Sequence, residues 1–264
     1  MTEQKPQTHS SHIDTFESCQ WLDYLVNFEG LRRPPGFALV VGGATHEPIE
    51  ADMNNKKDKG ELLTREEIMD IARDAVTHRW EKEGCRLVAE EKEKGNDKMK
   101  AEAVGLAISL ADLHHEQLAP TIEPLHVEEP WVLELQGYPV DLAGRIDLQE
   151  KNGRLRDTKT SAKSPTAGQT DSMNQLTVYS LAAWKIPKFG GKIPELAVDY
   201  LIKTKTPKSV TEYTTRTKGH FERLLRRLEI MIRVREAGNW YPTGRKTWKC
   251  CEKWCGFYPC KYAI

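Results

Sequence analysis

Apolar positions along the first third of the chain recur at helical spacing. Phe16, Trp21, Leu22, Leu25 and Phe28 predict a helix from about Asp14 to Glu29 that contains Cys19, and Pro34-Pro35-Gly36 ends the pattern. A short apolar run from Phe37 closes at Gly42-Gly43, and a second helix is expected from about Ala44 to Met53, with His46 near its start. A polar break over residues 54–60 follows. Thr64 stands three residues before Glu67, a capping-box spacing, and predicts a helix over about 65–83. A further helix is predicted over about 97–119, and the charge run EEKEKGNDK between the two reads as solvated. These segments read together as a helical insertion over about 56–120 that covers one side of the core. His114 and His115 are adjacent, cannot share a helix face, and read as structural or exposed.

From residue 125 the period changes. Residues 125–160 read as three strands of an antiparallel meander, the last two joined at Lys151-Asn152-Gly153. Asn-Gly between two strand-like runs is a strong hairpin signal. Asp147 lies near the end of the first run, Asp157 in the second, and Lys159 two residues on, so Asp157 and Lys159 project from one face. A Ser, Thr, Pro and Gly-rich loop over 161–172 leads to an amphipathic helix ending at Trp184. On it Gln175 and Tyr179 are four apart and share a face, while Leu176, Leu181 and Ala182 face the core. A strand over about 194–205 and a long helix from about Lys218 to Ala237 complete the pattern. Strands bracketed by helices make the chain α/β.

A chain of 264 residues can bury one sizeable core. Its mean hydropathy of -0.61 describes a polar but foldable protein. No apolar run approaches the roughly 18–20 residues of a membrane span. The first eleven residues are polar and lack the apolar core of a signal peptide; they read as a disordered tail on one domain, 12–264, of a cytoplasmic protein. Lys plus Arg and Asp plus Glu balance at 39 each, so any anionic partner must be met by local clusters. Such clusters are Lys203 with Lys205, and Arg223, Arg226 and Arg227 on the last helix, where Glu222, Glu229 and Glu236 are interspersed and a salt-bridged exterior is the alternative.

Two acids and an amine on one sheet face suit a divalent metal site with a basic group beside it; ordinary surface charges are the alternative. His46 reads as a loop histidine or as a metal ligand. Four of six cysteines fall between Cys250 and Cys260, a metal-binding pattern for a cytosolic chain. Cys250, Cys255 and Cys260 need one further ligand for a four-coordinate site. Cys251 offers it locally, and Cys19 from a distance.

His46, Gly144-x-x-Asp147, Asp157-Thr-Lys159 and Gln175-x-x-x-Tyr179, in this order and followed by the cysteines, resemble the RecB-type branch of the PD-(D/E)XK nuclease superfamily. That branch includes the nuclease domains of RecB and AddB, CRISPR adaptation nucleases and phage exonucleases, and the resemblance runs from about Ser11 to Cys260. It implies an α/β, restriction-endonuclease-like core with a mixed central β-sheet flanked by helices, and a Mg²⁺- or Mn²⁺-dependent deoxyribonuclease, an exonuclease of recombination, repair or phage DNA processing. A structure-specific endonuclease and a non-catalytic, metal-stabilised DNA-binding module are the alternatives. By resemblance, His46, Asp147, Asp157 and the Thr158 carbonyl hold the metal, Lys159 positions or activates water, and Gln175 and Tyr179 support the lysine or phosphate. The partner implied is DNA with a free end or single-stranded, with a helicase or recombinase alongside, and Lys203, Lys205, Arg223, Arg226 and Arg227 are candidate DNA contacts. The cysteines resemble the iron–sulfur subset, with Cys19, Cys250, Cys255 and Cys260 around a [4Fe–4S] cluster and Zn²⁺ as alternative. Gln20 stands where proline commonly follows the first cysteine. The gaps of four and four, or three and four with Cys251 replacing Cys250, depart from the usual two-residue gap.

Overall fold

The computed structural model describes residues 5–263. The expected disordered tail lies outside these residues for 1–4. From residue 5 the chain instead enters a short strand, β1 (Gln7–Thr8), before α1 (Ser10–Ser18). Cys19 is not inside a helix as expected. It is extended, with φ -166° and ψ 112°, and separates α1 from α2 (Gln20–Asp23), which runs into a π-helical turn over Tyr24–Phe28.

The next helix also departs from expectation. Gly42-Gly43 does not interrupt it: α3 runs unbroken over Phe37–Lys59, through Pro48, and stops at Gly60 with φ 82°. His46 therefore sits in the body of α3. The glycines serve packing. A Cβ at Gly42 would lie 3.3 Å from Thr160 Oγ1, and one at Gly43 would strike the Arg79 guanidinium at 2.6 Å. Then come α4 (Arg65–Lys82), whose Thr64–Glu67 capping box forms as expected, α5 (Ala89–Lys94), which turns the charge run into an exposed helix, and α6 (Asn96–Gln117).

The meander forms as β2 (Pro124–Leu133), β3 (Asp141–Glu150) and β4 (Leu155–Ser161), all antiparallel. After α7 (Asn174–Lys185) comes β5 (Leu196–Ile202), fully buried and parallel to β4. A strand without a sequence forecast follows, β6 (Lys208–Thr214), half-exposed and antiparallel to β5. The last helix, α8, spans Lys218–Ala237 as predicted. The six strands form one mixed sheet in the order β2-β3-β4-β5-β6, with β1 added parallel to β3. Residues of α1, α7 and α8 build the core on one face, including Leu176, Leu181 and Leu224. Those of α3, α4 and α6 build it on the other, including Val41, Val76 and Leu110. The helices expected as an insertion are thus one complete layer of the fold, and that layer begins at α3. Among the described residues, no helix is long and apolar enough to cross a membrane.

One detail of the sheet positions everything that follows. β3 and β4 pair only at Leu148–Arg156 and Gln149–Leu155, next to the Asn152-Gly153 turn. Beyond those two rungs the strands diverge, and β1 takes up the same edge of β3 at Asp141 and Leu142. The stretch of β3 between them opens a gap in the sheet. His9 Nδ1 bonds the Ala143 carbonyl there, at 2.9 Å.

Candidate active site

Asp147 and Asp157 stand at the mouth of this fork, one on each diverging strand. The helices α7 and α3 reach the fork from opposite faces of the sheet. From α7, Tyr179 donates its hydroxyl to Asp147 Oδ1 at 2.9 Å, and Gln175 Nε2 donates to the Tyr179 oxygen at 2.7 Å. Lys159 Nζ donates to Gln175 Oε1 at 2.8 Å and to Asp157 Oδ1 at 2.9 Å. The five side chains form one continuous hydrogen-bonded chain from acid to acid. From α3, His46 Nδ1 comes to 4.0 Å from Asp147 Oδ2. The structure thus brings together His46, Asp147, Asp157, Lys159, Gln175 and Tyr179.

Electrostatics follow from burial. Asp157 is fully buried, and loss of water pushes its carboxyl well above the usual carboxylate range, against the pull of Lys159. Its Oδ2 has no hydrogen-bond partner. A buried, unpartnered carboxylate oxygen is costly unless a cation meets it. Burial lowers the affinity of Lys159 for its proton, but Asp157 and then Asp147 outweigh this and hold the ammonium charged. Burial also keeps His46 neutral, the form that ligates metal. Burial, then the Asp147 and Asp157 charges, keep the Tyr179 phenol protonated and so a donor.

A residue that the sequence reading missed completes the group. Ligand atoms of Glu128, His46 and Asp147 lie within 4.8 Å of one another. Glu128 is on β2. Its neighbours pair as Val127–Leu148 and Glu129–Ile146, which sets Glu128 directly across from Asp147. Two like charges in that relation repel. Glu128 is also the one non-glycine residue among those described with positive φ, 49°. Burial, and then the charges of Asp147 and Glu50, push its carboxyl up to about 7. No local motif marks it; the β2–β3 register alone reveals it. The same register explains Gly144, three residues before Asp147. It sits across from Trp131, and a Cβ there would meet that indole at 2.7 Å.

The cysteines divide as the register of helices and turns dictates. Cys19, Cys250, Cys255 and Cys260 line one small apolar pocket, walled by Trp21, Leu22, Leu25 and Phe257. The extended backbone at Cys19 is what interrupts the helix there. Cys251 does not line this cavity; its Sγ contacts the Trp248 carbonyl at 3.5 Å. Cys85 lies elsewhere, beside Arg86 and Tyr258. None of the six is in a disulfide. Burial, joined by Cys250, Cys260 and Cys19, pushes the Cys255 thiol up.

The basic residues named from sequence are less united. Arg227 is bound by Glu17 and by Asn174, and Arg226 by Glu229 at 2.7 Å. Both arginines are thus tied to neighbouring side chains, as in the salt-bridged exterior that the sequence allowed as an alternative. Arg223 is exposed on that same helix, and Lys205 is exposed past β5. Lys203 is half-buried and lines a groove with Lys159.

A mixed sheet with helices on both faces and two acids and a lysine at the fork of two diverging strands defines the class. The chain belongs to the PD-(D/E)XK nuclease superfamily, whose pattern it matches over residues 10–260. Its fold is restriction-endonuclease-like, and the family makes it a nuclease, a hydrolase acting on DNA. Among solved structures it is similar to a candidate exonuclease from Eubacterium rectale, with 10% identity, TM-score 0.55, and coverage of 92% of this chain and 85% of that one. A second, SSO0001, aligns at 12% identity over 92% and 95% with a TM-score of 0.36. No curated protein matches the chain.

Proposed function

We propose that the protein is a metal-dependent deoxyribonuclease that degrades DNA from a free end. The reading rests on the chain of hydrogen bonds Asp147–Tyr179–Gln175–Lys159–Asp157, which fixes two acids and an ammonium around one point at a fork in the sheet. His46, Asp147, Asp157 and the Thr158 carbonyl would hold a Mg²⁺ or Mn²⁺ ion, and Glu128 is a further carboxylate ligand. Carboxylate oxygens suit Mg²⁺, and one imidazole makes Mn²⁺ a ready substitute. When bound, the ion polarises the scissile phosphate and acidifies a water. Lys159, held charged by the two acids, orients the attacking water and neutralises charge developing on the phosphoryl oxygens. Gln175 fixes the lysine through its carbonyl, and Tyr179 holds Asp147 in the rotamer that faces the fork.

The four cysteines around the apolar cavity fit a [4Fe–4S] cluster, with Cys250 rather than Cys251 as the second ligand. Cluster ligation deprotonates the thiols, including that of Cys255, which burial otherwise keeps protonated. Such a cluster would tie α1 and α2 to the C-terminal segment. The test of function is degradation of linear against covalently closed circular DNA in Mn²⁺. An exonuclease degrades the linear form and spares the circle. Cleavage of the circle refutes the exonuclease assignment, and full activity of Lys159→Ala refutes the site.

A further inference from the structure

A groove of about 580 Å³ leads away from His46 and Lys159 toward the cysteine-rich segment. Lys163, Lys203, Lys253, Leu39 and Trp254 line its outer part. We infer that this groove guides a single DNA strand into the nuclease site, its phosphates along Lys163, Lys203 and Lys253 and a base stacked on Trp254. The inference rests on the nuclease reading of the site.

Charge is the first argument. No carboxylate is among the residues that line the groove. Among the described residues, none of Lys163, Lys203 and Lys253 is ion-paired, unlike Arg226, Arg227 and Arg233 on α8. Lys203 is half-buried, and the Lys253 ammonium stands near enough to add to the effect of burial in weakening its hold on a proton. Two ammonium groups facing one space without a counter-charge suit a polyanion there.

Shape and chemistry select a single strand. Trp254 is 43% exposed, and Leu39, on the α3 side, is 64% exposed. Trp248 packs edge-on against Trp254 with centroids 5.2 Å apart, which steadies the ring. An exposed aromatic beside a lysine track is how single strands are held without regard to sequence. At about 580 Å³ the groove lies within the roughly 300–1,000 Å³ of small-ligand pockets. A space of that size, lined by one short lysine track and one exposed ring, suits part of a single strand. The arrangement also gives the cysteine-rich segment a second task. Lys253 and Trp254 lie between Cys251 and Cys255, so whatever orders those cysteines also sets one wall of the strand path.

The test is fluorescence anisotropy with a labelled 12-residue oligo(dT) and a blunt hairpin duplex, in an Asp157→Ala background of the full chain as purified. Trp254→Ala weakens oligo(dT) binding roughly five-fold or more, the loss of one stacked base. Lys163→Ala/Lys203→Ala lowers the slope of log affinity against log salt by about 1.4, two single-strand phosphate contacts. These two lysines lie outside the cysteine-rich segment, so the double variant decides the matter if Trp254→Ala disturbs the metal content. Unchanged affinity and slope in the double variant overturn the proposal, as does preferential duplex binding with the same dependence on these residues. Wild-type Mn²⁺-dependent degradation is measured in parallel. Degradation with groove-independent binding sinks the groove and spares the nuclease reading. Groove-dependent binding without any degradation supports the strand path and sinks the catalytic reading.

Discussion

Glu128→Gln separates two consequences of one carboxylate. Without metal, Glu128 faces Asp147 across the β2–β3 ladder, and like charges so placed destabilise. At pH 8, above the value near 7 to which Glu128 is raised, removing its charge stabilises the metal-free protein by roughly 0.2–1 kcal/mol, the range of cross-strand pair effects. With metal the sign reverses. Glu128, His46 and Asp147 offer ligand atoms within 4.8 Å of one another, so the variant loses a ligand. A loss of about 10–100-fold in affinity, the scale seen even for groups that only support ligands, removes about 1.4–2.7 kcal/mol of metal-dependent stabilisation at saturating concentration. For a domain of this size 1 kcal/mol moves Tm by about 2–4 °C. The measurement is thermal unfolding in EDTA and at fixed Mn²⁺. The variant melts slightly higher than wild type in EDTA and gains roughly 3–10 °C less from Mn²⁺. An equal Mn²⁺-induced rise in both proteins refutes the ligand assignment. A lower melting point of the variant in EDTA refutes the repulsion.

Tyr179→Phe removes the bonds to Asp147 and Gln175 while preserving the ring; it costs about 0.5–1.5 kcal/mol in stability and lowers turnover on DNA, and unchanged turnover counts against a positioning role. His114 is buried and held neutral, its affinity for protons lowered to about 4 by burial. The unfolded chain takes up that proton below about 6.5, so stability falls as pH drops from 6.5 to 4, by up to about 3 kcal/mol from this group. His114→Gln flattens urea-unfolding stability across that window, and an unchanged pH slope refutes the assignment. Cys255→Ser abolishes the visible absorbance and iron content expected of the cluster, whereas Cys251→Ser retains both; the reverse result moves the ligand to Cys251, and stoichiometric zinc in a colourless wild type replaces the cluster with a structural zinc site.

The residues brought together at the fork were legible where chemistry is local. Asn152-Gly153 announces the hairpin that sets Asp147 near Asp157, and the four-residue spacing of Gln175 and Tyr179 puts both on one face of α7. Glu128 was illegible because its meaning depends on a register fixed across the loop from Leu133 to Asp141. Gly42-Gly43 misled for a related reason. Glycine usually ends a helical pattern, but here it admits Thr160 and Arg79, contacts more than thirty residues distant in sequence. The arginines of α8 carry the same lesson, since the partner of Arg227 is Glu17, at the other end of the chain. Strands β1 and β6 were missed because neither carries an alternating apolar run; one is two residues long, the other half-exposed.

The fork between β3 and β4 has a mechanical corollary. Its two arms are joined at one end by a tight turn and two rungs of pairing, so the turn acts as a pivot for the spacing of the acids. Gly153 holds φ 90° at that pivot. A side chain there strains the turn, from which the two arms bearing Asp147 and Asp157 extend. A metal ion held by the proposed site would thus depend on a turn at a partly exposed corner, remote from the ligands themselves.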